Sequence, residues 1–373
     1  MVQKKTKKIS KPLLKNLTIK NFRCFENFHL KDLKRVNIFV GDNNSGKSSV
    51  LEAVGMLYPT VRNYMGIIQS RESIAYRDSD MIGIRTGRFA FSKLEYLFYK
   101  KKDNLNKIQI SSELNDSKID VSMSISKEEI FSNRDAIRRY GIEDRALFKE
   151  DYKTFIVDYN YKKISAQIGF SNMGTGKLSI ENFEEYDIEL LFDNIPSTKE
   201  VASKWNRIVE MGLKSEEKYI KLSQKFDPKI ITIRFVGDDL LFFKSEGYDT
   251  NFSNMGNGFK KFFDILITAE IMGKRLDKFK ILCIDEIDNG LYHDKQDLFW
   301  EQIIKLCEEY NIQLFTTTHS YDCLKNISKI ALKDEYEDLF QIVRLEKFDD
   351  KILQTTISQE ELETMIDNHY EIR

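Results

Sequence analysis

The sequence predicts an α/β fold with a mixed central sheet, and three observations support this prediction. An apolar run, Val36–Val40, precedes a glycine-rich loop and then a helix-forming stretch at 49–54. A second apolar run at 280–284 ends in two carboxylates, and a third at 313–317 ends in a Thr-His-Ser sequence. Continuous apolar runs of this length are typical of strands that are buried on both faces. Such strands, connected through loops to helices, indicate an α/β core.

The glycine-rich loop matches the pattern G-x-x-x-x-G-K-[ST] at every position and consists of Gly41, Asp42, Asn43, Asn44, Ser45, Gly46, Lys47 and Ser48. Its glycines let successive backbone N–H groups point inward, and the following helix adds a partial positive charge. We therefore expect the loop and the adjoining Ser49 to hold the phosphates of a nucleotide. Lys47 is expected to reach the β- and γ-phosphates, and the Ser48 hydroxyl to bind Mg²⁺. The alternative, a chance glycine-rich turn, is disfavoured by the strand and helix on either side.

The composition is that of an ordinary globular protein. Of 373 residues, 31% are charged and the net charge is −1, so the overall charge predicts no polyanionic partner, although a local basic surface remains open. No apolar run approaches the roughly 18 residues of a membrane span. Four cysteines without metal-binding spacing are expected to be reduced and mostly buried, namely Cys24, Cys283, Cys307 and Cys323. We expect a cytoplasmic protein without membrane contact.

The segments around the loop are predicted to form an antiparallel edge of the core. Residues 14–22 and 28–30 are expected as short strands ahead of Val36–Val40. Period-two alternation at 107–114 and 118–125, with turn residues between them, predicts a hairpin.

The middle of the chain is predicted to be a largely helical α/β insertion. Strands are expected at 155–170 and 188–192, and helices at 197–211 and 215–226. The predicted domain division is 1–126 for the N-terminal part of the core, 127–229 for the insertion and 230–373 for the C-terminal part. That last part is expected to alternate strands with helices and to end in a strand at 340–346 and a helix at 359–368.

Two carboxylates directly follow the apolar run at 280–284. Asp285, at the carboxyl end of a strand, can hold Mg²⁺ beside Ser48, through water. Glu286 would then face the γ-phosphate and act as general base toward the attacking water. The alternative is a solvated turn, which the intact phosphate loop upstream disfavours.

His319 follows the next apolar run, after three threonines. An imidazole at that position can hydrogen-bond the γ-phosphate and sense its presence. A structural histidine is the alternative, but the chain has only four histidines, and the strand order favours the sensing role.

A second glycine-rich loop lies ahead of a predicted helix that ends near residue 272. Ser253, Gly256 and Gly258 can present backbone N–H groups to a phosphate. A loop and helix cap without any ligand fits their spacing equally well.

These motifs occur in an order that resembles ABC-type ATPase heads. The chain resembles AAA-family ATP-binding proteins allied to RecF, SMC and OLD ATPases, a resemblance that leaves out the middle insertion. It rests on residues 17–25, the phosphate loop, Met255-Gly256-Asn257-Gly258, the segment 284–291 and residues 317–320. The resemblance implies an ABC-type P-loop NTPase head that hydrolyses ATP with Mg²⁺.

In such heads, the glycine-rich signature of one protomer closes on the nucleotide held by another. The resemblance therefore implies a homodimer or higher oligomer in which Ser253, Gly256 and Gly258 act in trans. It also implies that Arg23 lies near the nucleotide. The signature differs from the LSGGQ of ABC transporters, and the glutamine that usually couples the metal to conformational change is not identified.

The resemblance further implies a switch that controls a separate effector. Relatives of the OLD type often carry a TOPRIM nuclease domain after the histidine strand, but only about fifty residues follow His319 here. Stand-alone ATPases of this type resemble components of prokaryotic anti-phage systems that control a nuclease or toxin. The alternative is a RecF- or SMC-like ATPase that binds DNA, although no long heptad pattern supports SMC. A transporter subunit is disfavoured by the missing signature.

Overall fold

The computed structural model describes residues 14–57, 97, 99, 107–114, 117–126, 154–161, 164–171, 178–179, 186–191, 198–236, 239–274, 279–291, 293–331, 333, 336, 338–349 and 351–368. Its strands are β1 Leu17–Phe22, β2 Phe25–Leu30, β3 Val36–Val40, β4 Ile108–Leu114, β5 Ser117–Ser126, β6 Thr154–Tyr161, β7 Ile164–Ser171, β8 Leu178–Ser179, β9 Tyr186–Leu191, β10 Ile230–Val236, β11 Asp239–Lys244, β12 Asp249–Asn251, β13 Phe279–Ile284, β14 Ile312–Thr317, β15 Phe340–Phe348 and β16 Lys351–Ile357. Its helices are α1 Lys47–Met56, α2 Thr198–Glu210, α3 Leu213–Gln224, α4 Asn257–Lys274, α5 His293–Glu309, α6 Tyr321–Ala331 and α7 Gln359–Asp367.

The central sheet has six strands in the order β16-β15-β3-β14-β13-β9. The five strands from β15 to β9 are parallel, and β16 pairs antiparallel with β15. All five residues of β3 and all six of β14 are buried, because helices and a second sheet cover both faces. The sheet is therefore mixed, as the sequence predicts.

Side chains of strand β3 pack into two apolar cores, one on each face of the central sheet. Val36, Ile38 and Val40 pack into a core shared with the helices α2 to α6. Phe39 points the other way, into a core shared with α1 and the strands β1, β2, β4 and β5. The buried polar side chain of Asn37 donates hydrogen bonds to the carbonyl oxygens of Lys34 and Leu314. This double burial fixes the strand that leads into the glycine-rich loop.

The second sheet is antiparallel and has seven strands in the order β2-β1-β4-β5-β6-β7-β8. The predicted hairpin of β4 and β5 is present, with Leu114 paired to Ser117 across the turn. Strands β6 and β7 extend this sheet beyond β5. The antiparallel edge expected from the sequence is thus confirmed as a complete sheet.

A third, three-stranded sheet and the helices α2 to α4 form an aromatic cluster. Phe242 of β11 lies edge-on to Phe259 and Phe263 of α4, with ring centroids 5.3 and 5.6 Å away. Trp205 of α2 lies 5.6 Å from Phe263. Aromatic pairs at these distances add to the apolar burial, so the cluster holds the first half of α4 firmly in place.

Most elements predicted from the sequence are present within one to three residues of their expected ends. Strand β16 and helix α6 are the main elements that the sequence analysis did not identify. Within 127–229, the described residues form strands β6 to β9 as well as helices α2 and α3; β9 joins the central sheet beside β13. The division at 126 and 229 stays a prediction.

The cysteines match expectation, because three of the four are buried and none forms a disulfide. Burial raises the pKa of the Cys307 thiol to about 12, so this side chain stays protonated and packs as an apolar group. In the described part of the chain, no helix is long and apolar enough to cross a membrane.

Candidate functional site

Three loops meet at the carboxyl edge of the central sheet. Strands β3, β14 and β13 are parallel neighbours, with Phe39 beside Thr317 and Thr316 beside Ile284. The glycine-rich loop follows β3, Asp285 follows β13, and His319 follows β14 after one intervening residue. Because the carboxyl ends of parallel strands share one edge, the topology gathers the residues that the sequence places far apart.

The glycine-rich loop has a backbone that only glycine tolerates at two positions. Gly41 has φ 134° and Gly46 has φ 95°. A Cβ atom at Gly41 would lie 2.1 Å from the carbonyl oxygen of Leu345, and one at Gly46 would lie 2.8 Å from Sγ of Cys24. Both glycines are therefore required by conformation and by close packing.

The buried hydroxyl of Ser45 marks the inside of this loop. No hydrogen-bond partner is found for its Oγ in the part of the chain that the structure describes. A buried hydroxyl without a partner loses free energy, which an acceptor such as a phosphate oxygen would restore. The loop thus fits a bound phosphate.

Lys47 is buried at the first position of α1. Its ammonium donates to the carbonyl oxygens of Gly41 and Asp42, both at 2.7 Å. Burial lowers the pKa of this lysine, and the negative charges of Asp285, Glu286 and Asp42 oppose that shift. The loop and the two carboxylates after β13 belong to the same edge of the sheet, as the parallel pairing of β3, β14 and β13 requires.

One threonine hydroxyl organises the two carboxylates. Thr317 Oγ1 donates to Oδ1 of Asp285 at 2.6 Å and accepts from the backbone N–H of Glu286 at 2.7 Å. This arrangement fixes the direction of the Asp285 side chain and the start of the turn that follows it. The sequence analysis gave roles to both carboxylates but none to Thr317, whose contacts depend on the pairing of β13 with β14.

Glu286 has a left-handed backbone with φ 46°, which is unusual for a residue other than glycine. Its Oε1 lies 4.0 Å from Nδ1 of His319, and both side chains are partly exposed. Asn289 donates to Oε2 at 3.4 Å. The structure therefore brings together Glu286 and His319, and their predicted roles toward the γ-phosphate stay predictions.

The second glycine-rich loop has two glycines in different surroundings. Gly258 lies in the first turn of α4, and a Cβ atom there would lie 2.1 Å from the carbonyl oxygen of Gly290. Gly256 is exposed, and a Cβ atom there would meet no described atom within 4 Å. Ser253 is exposed as well. Packing accounts for Gly258, whereas Gly256 directly precedes α4 and its carbonyl oxygen accepts a hydrogen bond from the Lys260 N–H, which is the N-cap position where glycine is one of the favoured residues.

Arg23 lies beside α1 with a left-handed backbone of φ 55°. Its Nε donates to Oε2 of Glu52 at 3.0 Å, and both side chains are largely buried. This ion pair ties the turn between β1 and β2 to the helix that follows the phosphate loop. Its predicted place near the nucleotide stays a prediction.

The site fits Mg²⁺ only as an ion shared with the nucleotide. The described residues contain no group of three or more His, Cys, Asp or Glu side chains that can hold a metal. Mg²⁺ usually takes one or two protein ligands together with phosphate oxygens and water, so the hydroxyl of Ser48 and the carboxylate of Asp285 are sufficient in kind.

Two family models match the chain. One, described as "AAA ATPase domain", matches residues 13–227. The other, described as "AAA domain, putative AbiEii toxin, Type IV TA system", matches residues 183–322. Together they cover both glycine-rich loops, the carboxylates after β13 and His319.

Individual proteins are similar to different extents. An "ATP/GTP phosphatase" of Helicobacter pylori is 23% identical over 385 residues, which cover 95% of this chain and 98% of the relative. The RecF protein of Clostridium perfringens, described as a DNA replication and repair protein, is 33% identical over 114 residues, only 31% of this chain and 27% of the relative.

Among solved structures, the SMC head domain from Thermotoga maritima is 13% identical with a TM-score of 0.41, covering 93% of this chain and 99% of that one. An SMC head bound to the C-terminal winged helix domain of ScpA is 16% identical with a TM-score of 0.47, covering 94% and 99%.

Proposed function

The chain belongs to the AAA ATPase domain family, and we propose that this ATPase is a switch in which ATP joins two copies and hydrolysis separates them. The observation that carries this proposal is the exposed start of α4. Ser253 and Gly256 present the positive end of an 18-residue helix to solvent, and the space around Gly256 is open. A nucleotide phosphate held by a second copy fits that space.

In this proposal, the phosphate loop of one copy holds ATP. Backbone N–H groups from Gly41 to Ser49 surround the phosphates, and Lys47 exchanges its carbonyl partners for phosphate oxygens. Ser48 and Asp285 hold Mg²⁺, which neutralises charge on the phosphates when bound. The ammonium of Lys47 already lies within electrostatic range of Asp285, which supports a shared site.

Hydrolysis is assigned to Glu286 and His319. Glu286 accepts the proton of the attacking water as general base. His319, 4.0 Å from Glu286, donates a hydrogen bond to the γ-phosphate and so makes the arrangement sensitive to its loss. Both side chains are accessible enough to meet a nucleotide that enters from the exposed side of the loop.

The switch is proposed to control a separate effector, a nuclease or toxin, in prokaryotic anti-phage defence. The second matching family model, whose description names a putative AbiEii toxin of a type IV toxin–antitoxin system, supports a role in such conflict systems. The trigger and the effector remain to be identified by copurification.

A second candidate is DNA binding in repair, favoured by the local similarity to RecF and by a basic groove. This groove of about 600 Å³ lies between α3, α4 and α5, contains three glutamates, and is lined by Lys218, Lys221, Lys225, Lys274 and Lys305. Salt-dependent binding of duplex DNA, lost in a Lys221→Ala/Lys225→Ala/Lys305→Ala variant, would favour this function over the effector switch.

Glu286→Gln tests the switch. The amide keeps the size of the side chain but cannot accept the proton, so ATP should bind with unchanged affinity while hydrolysis falls by roughly 100-fold or more. Light scattering should show a dimer or larger assembly that persists in ATP and dissociates in ADP. A variant that hydrolyses ATP at the normal rate, or never assembles, contradicts the proposal.

A further inference from the structure

Lys261 is a buried lysine in the first two turns of α4. Its side chain is 9% exposed, and its ammonium donates a hydrogen bond to the backbone carbonyl oxygen of Glu286. The neighbouring Lys260 instead reaches outward to the carbonyl oxygen of Ser253. A buried ammonium is costly unless it is paired, and the carbonyl oxygen of Glu286 is one of the partners that stabilise it.

We propose that Lys261 is a positioning residue for hydrolysis, which transmits contact at the start of α4 to Glu286. This inference rests on the proposed function of Glu286 as general base. Lys261 itself does not touch the nucleotide.

The first step of the argument concerns the backbone of Glu286. Its left-handed conformation is disfavoured for a residue with a Cβ atom. The structure holds it from both sides, because Thr317 Oγ1 accepts its N–H and Lys261 donates to its carbonyl oxygen. Strained residues that are held in this way are typical of functional sites, where the backbone sets the direction of a side chain.

The second step concerns the connection to the exposed loop. Gly258 packs directly against the carbonyl oxygen of Gly290, which lies four residues after Glu286. Lys261 is three residues after Gly258, so the two residues lie on the same face of α4. The start of α4 is therefore joined to the segment 286–290 at two points, one at each end of that segment.

The third step is the consequence for two copies. A nucleotide held by the partner would place a phosphate at Ser253 and Gly256, in contact with the N-terminus of α4. Because the helix is rigid, a small shift at its N-terminus also moves its next turn. Lys261 and Gly258 both move with that turn. Glu286 is already held by Thr317 and Lys261 within one chain, so a contact at the start of α4 adjusts its orientation and is not needed to create it.

The test compares steady-state ATPase rates of Lys261→Met, Lys261→Arg and Lys280→Met. Lys280 is also a buried lysine whose ammonium donates to backbone carbonyl oxygens, those of Gly273 and Tyr310, so it serves as the matched control. Methionine keeps the length of lysine but cannot donate a hydrogen bond. We expect Lys261→Met to lower kcat by about 10- to 100-fold with KM for ATP changed less than about threefold, because a small misorientation affects only the chemical step. Lys261→Arg should recover part of the loss.

A double variant separates positioning from simple loss of fold. Adding Lys261→Met to Glu286→Ala should cause no further loss, because a residue that acts through Glu286 has nothing left to orient. A further drop in the double variant, or equal loss in kcat and ATP affinity for Lys261→Met, overturns the inference. If Lys261→Met does not fold, Lys261→Arg decides: a kcat lowered with an unchanged KM for ATP supports the inference, and a wild-type kcat or an equal loss of ATP affinity overturns it.

The proposed function and this inference fail in different ways. If Glu286→Gln hydrolyses ATP normally, the assignment of the general base fails and the inference fails with it. If Glu286→Gln is inactive but Lys261→Met has a normal kcat, only the inference is overturned.

Discussion

The two glycine-rich loops differ in how completely their own chain surrounds them. The loop after β3 is packed on every side that its glycines face, and its lysine is buried against its own carbonyl oxygens. The loop before α4 is packed beneath, through Phe252, Met255 and Gly258, while Gly256 and Ser253 are exposed. The first loop is enclosed by its own chain, and the second has an exposed side.

This difference explains why the same residue type has different consequences at the two loops. A glycine that is packed against a neighbouring carbonyl is fixed by the fold of one chain. Gly256, at the N-cap of α4, leaves open space in front of the helix, and we propose that the nucleotide of a second copy occupies it.

The sharpest contrast is expected between Gly41→Ala and Gly256→Ala. The first places a Cβ atom 2.1 Å from a carbonyl oxygen at a positive φ, so unfolding in urea should show a loss of about 2 kcal/mol or more. The second meets no described atom and replaces only an N-cap glycine, so its stability should fall by less than about 1 kcal/mol. Calorimetry should show ATP binding lost only for Gly41→Ala. Equal destabilisation by both substitutions would remove the contrast.

A smaller effect is expected for Thr317→Val. This near-isosteric change removes the hydroxyl between Asp285 and the Glu286 N–H, so stability should fall by about 1–3 kcal/mol. The ATPase rate should fall as well, because both carboxylates lose their orientation. Thr355→Val on the exposed strand β16 is the matched control and should change neither quantity. A Thr317→Val protein with the stability and rate of the control would show that the hydroxyl is dispensable.

Much of the fold could be predicted because its central strands are buried on both faces. Val36–Val40 was predicted at its exact bounds, since a continuous apolar run between a turn and a glycine-rich loop leaves little choice of ends. Strand β16 was missed because it lies at the sheet edge and five of its seven residues are exposed. Its sequence therefore lacks the alternation of apolar and polar residues that marks a half-buried strand. The prediction of an AAA-family ATPase is confirmed by the family match.

The candidate site could be predicted only where its residues form one short segment or directly follow an apolar run. The phosphate loop is one continuous segment, and Asp285 and His319 each end an apolar run. The contacts of Thr317 and Lys261 could not be predicted. The partners of Thr317 lie 31 and 32 residues away and depend on strand register, and the partner of Lys261 lies 25 residues away and depends on helix packing. The roles of the predicted residues stay predictions until variants are measured.

The central claim is that the exposed loop of one copy completes the nucleotide site of another, and mixing two inactive variants tests it directly. Lys47→Ala removes the phosphate loop's ammonium, and Gly256→Glu places a negative charge where the partner's phosphate should lie. Each variant alone should be inactive. An equimolar mixture, dissociated and reassembled, should recover about a quarter of the wild-type ATPase rate, because half of the dimers are mixed and each has one complete site of two. A mixture that stays inactive, or a Gly256→Glu protein that is fully active alone, would contradict the claim.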